Sequence, residues 1–314
     1  MEVPRPRLSV VIPCLNEGTH LARSLEVLTK TLEGTGLTFE VVVVDDGSSD
    51  DTWQVLQESA AGHPGLRAFR LSRRFGKEQA LCAGLERARG DAVIVMDADL
   101  QHPPGLIPDM VRAWQSEGFD VVEAVKSDRG REPFLSRVGA RAFYALFRKL
   151  SGFDLHQASD FKLLDRRVLA SWAEMPERNL FFRGMSAWLG FRRKEIPFDV
   201  APRAGGRSGW SPLRLFRLAV TGITAFSSVP VHVITGLGFL FMVFALILGV
   251  QTLYNKLYGE AETGFTTVIV LVLVTGSAIM IGLCVIGLYV SRIYDEVKGR
   301  PRYIVAEELE TRAG

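Results

Sequence analysis

Two carboxylates placed two residues apart are the first feature of the sequence that could do chemistry. Asp97 and Asp99 flank one alanine directly after an apolar run. Side chains so placed can present oxygens to one hard divalent cation, which would neutralise a diphosphate and help it to leave. A solvated pair at the start of a loop is the alternative interpretation of any isolated D-x-D. The run that follows, Leu100-Gln101-His102-Pro103-Pro104, offers further oxygen and nitrogen ligands and favours the cation site.

Further charged side chains are candidates for binding a nucleotide. Asp46 precedes a glycine and can accept hydrogen bonds from the N–H groups of a nucleobase, and Glu17 can hold base or ribose hydroxyl groups. Arg73 and Lys77 can offset phosphate charge, although simple solvation at the surface explains these two residues equally well.

Alternating strands and helices must position these residues. Short apolar runs typical of strands are separated by longer segments that are compatible with helices. The predicted strands are 8–13, 39–44, 66–71, 92–96 and 120–125, and a first helix is predicted over 17–32. This pattern predicts a mainly parallel α/β sheet with helices on both faces, in which ligands bind beyond the carboxyl ends of the strands. The polar residues above follow those ends, so we expect them to converge at one edge.

Composition and motifs exclude several classes of protein. The 314 residues are 47% hydrophobic and 23% charged, which excludes a disordered chain. The net charge of +2 is too balanced for a protein that mainly neutralises nucleic-acid phosphates. The sequence after the first predicted strand is PCLNEG rather than G-x-G-x-x-G, which excludes a dinucleotide-binding dehydrogenase. The 3 cysteines lie far apart and predict neither a disulfide framework nor a cysteine zinc site.

The last third of the chain is strongly apolar. Between Val231 and Val290 the formally charged side chains all lie in a loop between two apolar runs, 233–250 and 265–290. Each run is long enough to cross a hydrocarbon core of about 30 Å as a helix, and two such runs in tandem disfavour the alternative of soluble core helices. Basic residues cluster outside the two runs rather than in the loop, so both termini are predicted to face the cytoplasm.

These patterns predict four parts of the chain. They are a catalytic domain over residues 1–210, a juxtamembrane interface helix over 211–230, a two-helix transmembrane hairpin over 231–300 and a cytoplasmic tail over 301–314. Arginines along one stripe of 134–150 predict a basic amphipathic helix at a membrane surface, with ordinary core packing as the alternative, and 212–228 is a second such candidate. Ala278 and Gly282 form a small-xxx-small pair, which leaves a homo-oligomer open.

Four motifs together resemble a known family. SVVIPCLNEG, VVVVDDGSSDDT, RFGKEQALCAGL and MDADLQHPP, in this order, resemble the nucleotide-sugar half of family 2 inverting glycosyltransferases with the GT-A fold. The segments 159–166 and 203–210 are similar to the polyprenyl-phosphate branch of that family, which includes dolichol-phosphate mannose synthases and bacterial polyprenyl-phosphate glucosyltransferases with two C-terminal spans. The resemblance covers residues 7–300.

The resemblance implies a role for each residue that matches a family motif. Pro13, Glu17, Asp46 and Asp97 are implied to hold the nucleotide, with Lys77 added for its charge; Asp97, Asp99 and Gln101 are the implied ligands of Mg²⁺ or Mn²⁺; Asp160 and Asp99 are the implied catalytic residues; and Arg203, Arg207 and Ser208 are implied to bind phosphate or the acceptor. Relatives commonly have Gly and Arg where this chain has Ser159 and Lys162, and Lys where it has Gly209, so the acceptor-loop roles rest on a weaker match.

The implied reaction is an inverting, metal-dependent transfer of a sugar from a nucleotide sugar to a polyprenyl phosphate at the cytoplasmic face of a bacterial inner membrane. UDP-glucose is the expected donor, and a GDP-mannose-dependent mannose synthase is the enzymatic alternative. A membrane scaffold that only binds a nucleotide sugar is the non-enzymatic alternative, and a processive polysaccharide synthase is disfavoured because the chain has no R-W pair. A phosphate monoester is largely dianionic at neutral pH, so a strong general base is not required. Asp160 is therefore expected to position the acceptor or the sugar, with proton transfer as the alternative.

Overall fold

The computed structural model of the chain describes residues 6–126, 159–175, 182, 188–198, 229–258 and 265–310. Contacts divide the chain into two compact units, Met1–Ser211 with Arg300–Gly314, and Pro212–Gly299. The amphipathic helices predicted over 134–150 and 212–228 lie outside the described residues.

The first unit contains an eight-stranded sheet. Its strands are β1 (Leu8–Cys14), β2 (Phe39–Asp45), β3 (Leu66–Leu71), β4 (Ala92–Val95), β5 (Val121–Lys126), β6 (Lys162–Asp165), β7 (Arg193–Phe198) and β8 (Val305–Glu310), in the spatial order β7-β5-β6-β4-β1-β2-β3-β8. The helices of this unit are α1 (Gly18–Glu33), α2 (Thr52–Ala60), α3 (Lys77–Arg87), α4 (Ile107–Gln115) and α5 (Arg166–Ala173).

The centre of the sheet is parallel, because β1 pairs with β2 and β4, and β2 pairs with β3. β1, β2 and β4 are rich in valine, and all four strands are largely buried on both faces, as expected where helices cover a sheet on each side. Ile12 belongs to the same core cluster as Leu25 of α1. On the other face α3 approaches closely, since a Cβ at Gly84 would lie 2.3 Å from Val11 Cγ1. The predicted mainly parallel α/β fold is confirmed.

An antiparallel strand separates β4 from β5. β6 pairs with both neighbours in the antiparallel sense, and Lys162 lies opposite Val95. The residues that precede β6 therefore lie beside the carboxyl end of β4. This reversal brings a distant part of the chain to the edge of the sheet where β1, β2 and β4 end and the predicted site residues follow.

The last described segment of the chain adds a strand that the sequence analysis did not predict. Residues 301–314 were expected to form a tail, but β8 pairs with β3 in the antiparallel sense, from Val305 opposite Leu71 to Glu310 opposite Arg67. Hydrophobic patterning indicates this strand poorly because it is an acidic edge strand with mostly exposed side chains.

The second unit contains two long helices, α6 (Val229–Tyr258) and α7 (Phe265–Val297). Windows over Val231–Gln251 and Leu271–Val297 have mean hydropathies of 2.6 and 2.5 and are long and apolar enough to span a membrane. Almost none of the side chains in these windows is buried, unlike those of the core helices of a soluble protein. Gly282 of α7 faces α6, since a Cβ there would lie 3.3 Å from Ile234 Cγ2. Self-association through this glycine stays a prediction.

Candidate active site

A lysine joins two of the predicted carboxylates. Lys77, the first residue of α3, places its Nζ 2.6 Å from Asp97 Oδ1 and 2.7 Å from Asp160 Oδ2. Asp97 follows β4 and Asp160 precedes β6, so the antiparallel pairing of these strands explains why the two acids meet. Burial disfavours the charge of Lys77, but Asp160 and then Asp97 outweigh burial, so the pKa of the ammonium group is raised. The structure thus brings Lys77, Asp97 and Asp160 together.

Asp46 holds the loop that leads to this lysine. Its Oδ1 accepts hydrogen bonds from the backbone N–H groups of Phe75, at 2.7 Å, and Gly76, at 3.0 Å. Burial raises the pKa of Asp46, while these two N–H groups act in the opposite direction. The next residue, Gly47, has φ 70° and passes so close to the loop that a Cβ would lie 2.6 Å from the Arg73 carbonyl carbon. The structure gives Asp46 a loop-fixing role, and nucleoside binding by this residue stays a prediction.

Glu17 lies close enough to the D-x-D pair to be affected by its charge. Burial, followed by the negative charge of Asp99, raises the pKa of Glu17. Its backbone N–H donates a 2.9 Å hydrogen bond to Thr52 Oγ1, which joins the start of α1 to the start of α2. Pro13 lies buried within β1, opposite Val44 of β2. Nucleotide binding by Glu17 and Pro13 stays a prediction.

Asp99 is more accessible to solvent than Asp97, the other acid of the D-x-D pair. It is exposed, and its Oδ1 accepts a 3.0 Å hydrogen bond from the backbone N–H of Gln101. Leu100 between them has φ 55°, a left-handed conformation that is uncommon for leucine and that lets the chain turn back on itself.

The side-chain oxygens at this edge of the sheet are suitable ligands for a hard divalent cation. Asp97 and Asp99 supply carboxylate oxygens, the kind of ligand that such a cation prefers. Within the described ranges, no group of at least three His, Cys, Asp or Glu side chains is arranged to hold a metal ion. Phosphate oxygens of a donor would have to complete the coordination, as is usual for Mg²⁺.

A buried histidine packs next to the D-x-D segment. The ring of His102 is buried and stacks on Phe161, with ring centroids 5.3 Å apart. Burial lowers the pKa of His102, and the nearby carboxylates of Asp97 and Asp99 only partly oppose that effect. His102 Nδ1 lies 3.5 Å from the backbone nitrogen of Asp97. This side chain, expected from the sequence as one more ligand, packs in the core and faces the backbone of the strand end.

A buried ion pair fixes the segment that carries Asp160. Lys162 Nζ lies 3.1 Å from Glu123 Oε1, and both side chains are almost completely buried. The same Glu123 oxygen accepts a 3.0 Å hydrogen bond from the backbone N–H of Ser159, whose Oγ accepts one from Phe161. Two residues that depart from the family pattern, Ser159 and Lys162, are therefore used to hold Asp160 in place. Sequence reasoning missed Glu123, since nothing in the pattern of β5 distinguishes it.

Replacing Lys162 by methionine is expected to lower the free energy of unfolding by about 3 kcal/mol, because Glu123 would keep its charge in the core without a cation. Thermal unfolding of the detergent-solubilised protein measures this. Lys194→Met is the matched control, because Lys194 also pairs with a glutamate, Glu117, but at the surface, where the loss should stay below about 1 kcal/mol. Equal losses in the two variants would contradict a structural role for the buried pair.

The predicted acceptor residues Arg203, Arg207 and Ser208 lie outside the described residues. Among the residues predicted to hold the metal, Gln101 contributes its backbone N–H to Asp99. The metal-binding roles of Asp97, Asp99 and Gln101 stay predictions.

Comparison with known proteins gives a consistent result over nearly the whole chain. Residues 9–171 match the family "Glycosyl transferase family 2". The chain is 38% identical over 306 residues to the uncharacterized glycosyltransferase sll0501 of Synechocystis sp., covering 96% of this chain and 95% of that protein. It is 36% identical over 301 residues to the bactoprenol glucosyl transferase of Shigella phage SfII, covering 95% and 97%.

Solved structures with similar folds are more distant in sequence. A mannosyltransferase of Pyrobaculum calidifontis in complex with GDP-Man and Mn²⁺ is 20% identical, with a TM-score of 0.47 over 89% of this chain and 87% of that chain. Glucosyl-3-phosphoglycerate synthase of Mycobacterium tuberculosis in complex with UDP is 21% identical, with a TM-score of 0.48 over 70% and 80%.

Proposed function

Because the chain belongs to glycosyl transferase family 2 and is a glycosyltransferase, we propose that it transfers glucose from UDP-glucose to a polyprenyl phosphate. Relatives named bactoprenol glucosyl transferase match it over almost their full length, which supports a glucosyl donor and a polyprenyl acceptor. The two apolar helices support a membrane location, which we propose to be the bacterial inner membrane with the catalytic unit in the cytoplasm.

The contact of Lys77 with Asp97 and Asp160 is the observation that carries this proposal. It joins an acid of the D-x-D pair, where a donor diphosphate would be held, to an acid that is almost completely buried beside it. Asp97, Asp99 and Gln101 would hold Mg²⁺ or Mn²⁺, and such a cation neutralises the departing diphosphate. Glu17 and Asp46 would face the nucleoside from the neighbouring strand ends.

The proposed reaction is a single displacement. A phosphate oxygen of the lipid forms a bond to the anomeric carbon of glucose, while the bond from that carbon to the diphosphate breaks and UDP leaves with the electron pair. Attack from the face opposite UDP inverts the anomeric centre. The residues of this edge would bring the two negatively charged reactants together, which is a large part of what an enzyme supplies to such a reaction.

Asp160 is proposed to position a reactant rather than to remove a proton. The lipid phosphate is already largely ionised at neutral pH, so the attacking oxygen carries no proton that must leave. Lys77 Nζ lies 2.7 Å from Asp160 Oδ2, so this carboxylate oxygen already contacts a cation of the protein itself.

The donor and acceptor are tested by incubating membranes that contain the protein with radiolabelled UDP-glucose or GDP-mannose and polyprenyl phosphate. Label should enter the organic phase from UDP-glucose and depend on a divalent cation. Label from GDP-mannose alone would replace the proposal by that of a mannose synthase. Binding of UDP-glucose without any labelled lipid would favour a nucleotide-sugar-binding scaffold.

The role of Asp160 is tested by Asp160→Asn, which keeps the size of the side chain and removes its charge. We expect a fall in kcat of about tenfold, because the amide still accepts a hydrogen bond from Lys77. Steady-state rates between pH 6 and 9 give the measurement. A fall of about a thousandfold or more, or the loss of an ionisation from the pH profile, would instead identify Asp160 as a base.

A further inference from the structure

Polar contacts link β8, the strand that follows the second apolar helix, to the edge of the sheet where the nucleotide is proposed to bind. Glu307 of β8 lies across from α2 and β3: its Oε2 accepts a 2.9 Å hydrogen bond from Trp53 Nε1, and its Oε1 accepts a 3.0 Å hydrogen bond from Arg70 Nη1. One carboxylate thus contacts both the first turn of α2 and the end of strand β3.

Arg70 continues this path to the end of β2. Its Nη2 donates a 3.3 Å hydrogen bond to the carbonyl oxygen of Ser48, and its Nε lies 3.5 Å from Asp45 Oδ2. Asp45 is completely buried, and within the described part of the chain that oxygen has no hydrogen-bond donor. Arg70 is therefore the cation that offsets a buried charge directly before Asp46, and Glu307 holds this cation in place.

The path ends at the β1–α1 loop. Asp45 Oδ1 accepts hydrogen bonds from the backbone N–H of Ser48, at 2.9 Å, and from its hydroxyl group. The Ser48 hydroxyl oxygen in turn accepts a 2.9 Å hydrogen bond from the backbone N–H of Asn16, the residue before Glu17. Both loops proposed to face the nucleoside, at Glu17 and at Asp46, are held by this series of contacts.

From these contacts we infer that Glu307 is a positioning residue for the nucleotide-sugar donor. It acts through Arg70 on the two loops that carry Glu17 and Asp46, and it does not touch the donor itself. The C-terminal strand is then part of the machinery that binds the donor. The choice of UDP-glucose as the donor rests on the proposed function.

The test compares Glu307→Ala with Glu308→Ala in the full-length protein. Glu308 is the next residue of β8, is also acidic and exposed, and no side-chain contact of it is seen in the described part of the chain. Glu307→Ala should raise the KM for UDP-glucose about fivefold, equivalent to about 1 kcal/mol, with kcat within about twofold of wild type. Glu308→Ala should change neither constant. Glu307→Gln, which sets an amide N–H₂ against one of two donors, should give a smaller rise in the same direction and serves if the alanine variant does not fold.

A second measurement separates positioning from general loss of stability. Hydrogen exchange followed by mass spectrometry should show faster exchange at residues 14–18 and 45–52 in Glu307→Ala than in Glu308→Ala. An unchanged donor KM, with or without a lower melting temperature, would overturn the inference. The absence of any transfer from UDP-glucose by the wild-type protein would instead overturn the proposed function, and the exchange comparison would still decide whether Glu307 holds the loops.

Discussion

Replacing Asp99 by alanine is expected to lower kcat for sugar transfer by about a thousandfold, equivalent to about 4 kcal/mol of transition-state stabilisation. Asp99 is exposed, and the hydrogen bond seen at its side chain comes from the backbone of Gln101, two residues away. Its carboxylate therefore contributes little to the core but is well placed to bind a cation. Removing it should impair chemistry while the melting temperature stays close to that of wild type.

Two readouts check this expectation. The rate of label transfer to lipid should fall, and binding of Mn²⁺ measured by electron paramagnetic resonance should weaken in the same variant. Asp109→Ala is a suitable control, because Asp109 is an exposed acid of α4 that pairs with Arg112 at 3.0 Å, away from the D-x-D turn. Full activity in Asp99→Ala would leave the proposed metal role without support.

Lys77→Met should be the second most damaging change, with a fall in kcat of about a hundredfold. The ammonium group lies between Asp97 and Asp160, so its loss leaves neighbouring carboxylates to repel one another at the place where the donor diphosphate is proposed to bind. Lys30→Met offers a comparison, because Lys30 also lies 2.7 Å from an acid, Glu26, but on the surface of α1. That variant should be as active as wild type.

A double-mutant cycle tests the same contact more directly. If Lys77 acts partly through Asp160, the change Lys77→Met should cost much less in an Asp160→Asn background than in wild type. Rates of lipid glycosylation in the four proteins give the coupling energy. Strictly additive effects would indicate that Lys77 acts on a reactant alone, as its sequence-based role in offsetting phosphate charge implies.

Much of the sheet could be predicted because its central strands carry a simple signal. Runs such as Val41–Val44 are buried on both faces and stand out from the helical segments around them. β6, β7 and β8 were not predicted for the opposite reason. β6 begins with the buried charge of Lys162, whereas three of the six residues in β7, and three of the six in β8, are charged. Their strand character depends on the partner strand and not on their own composition.

The candidate site was predictable in its residue types but not in its contacts. Asp97 and Asp160 could each be identified from their motifs, yet Asp160 reaches Asp97 and Lys77 only because β6 runs antiparallel to β4. The role of Lys162 was equally hidden, since its partner Glu123 lies on another strand. Distances along the chain say little about such pairs, which are decided by sheet order.

The position of β8 has a consequence for how the protein is made. The ribosome synthesises β1 to β7 first, then both apolar helices, and only afterwards the residues that pair with β3. Until then the edge of β3 lacks its neighbour, even though N-terminal segments of a nascent chain begin to fold early. The catalytic sheet is therefore complete only after both apolar helices have been translated. A chain that terminates before β8 would have a sheet in which the edge of β3 is exposed.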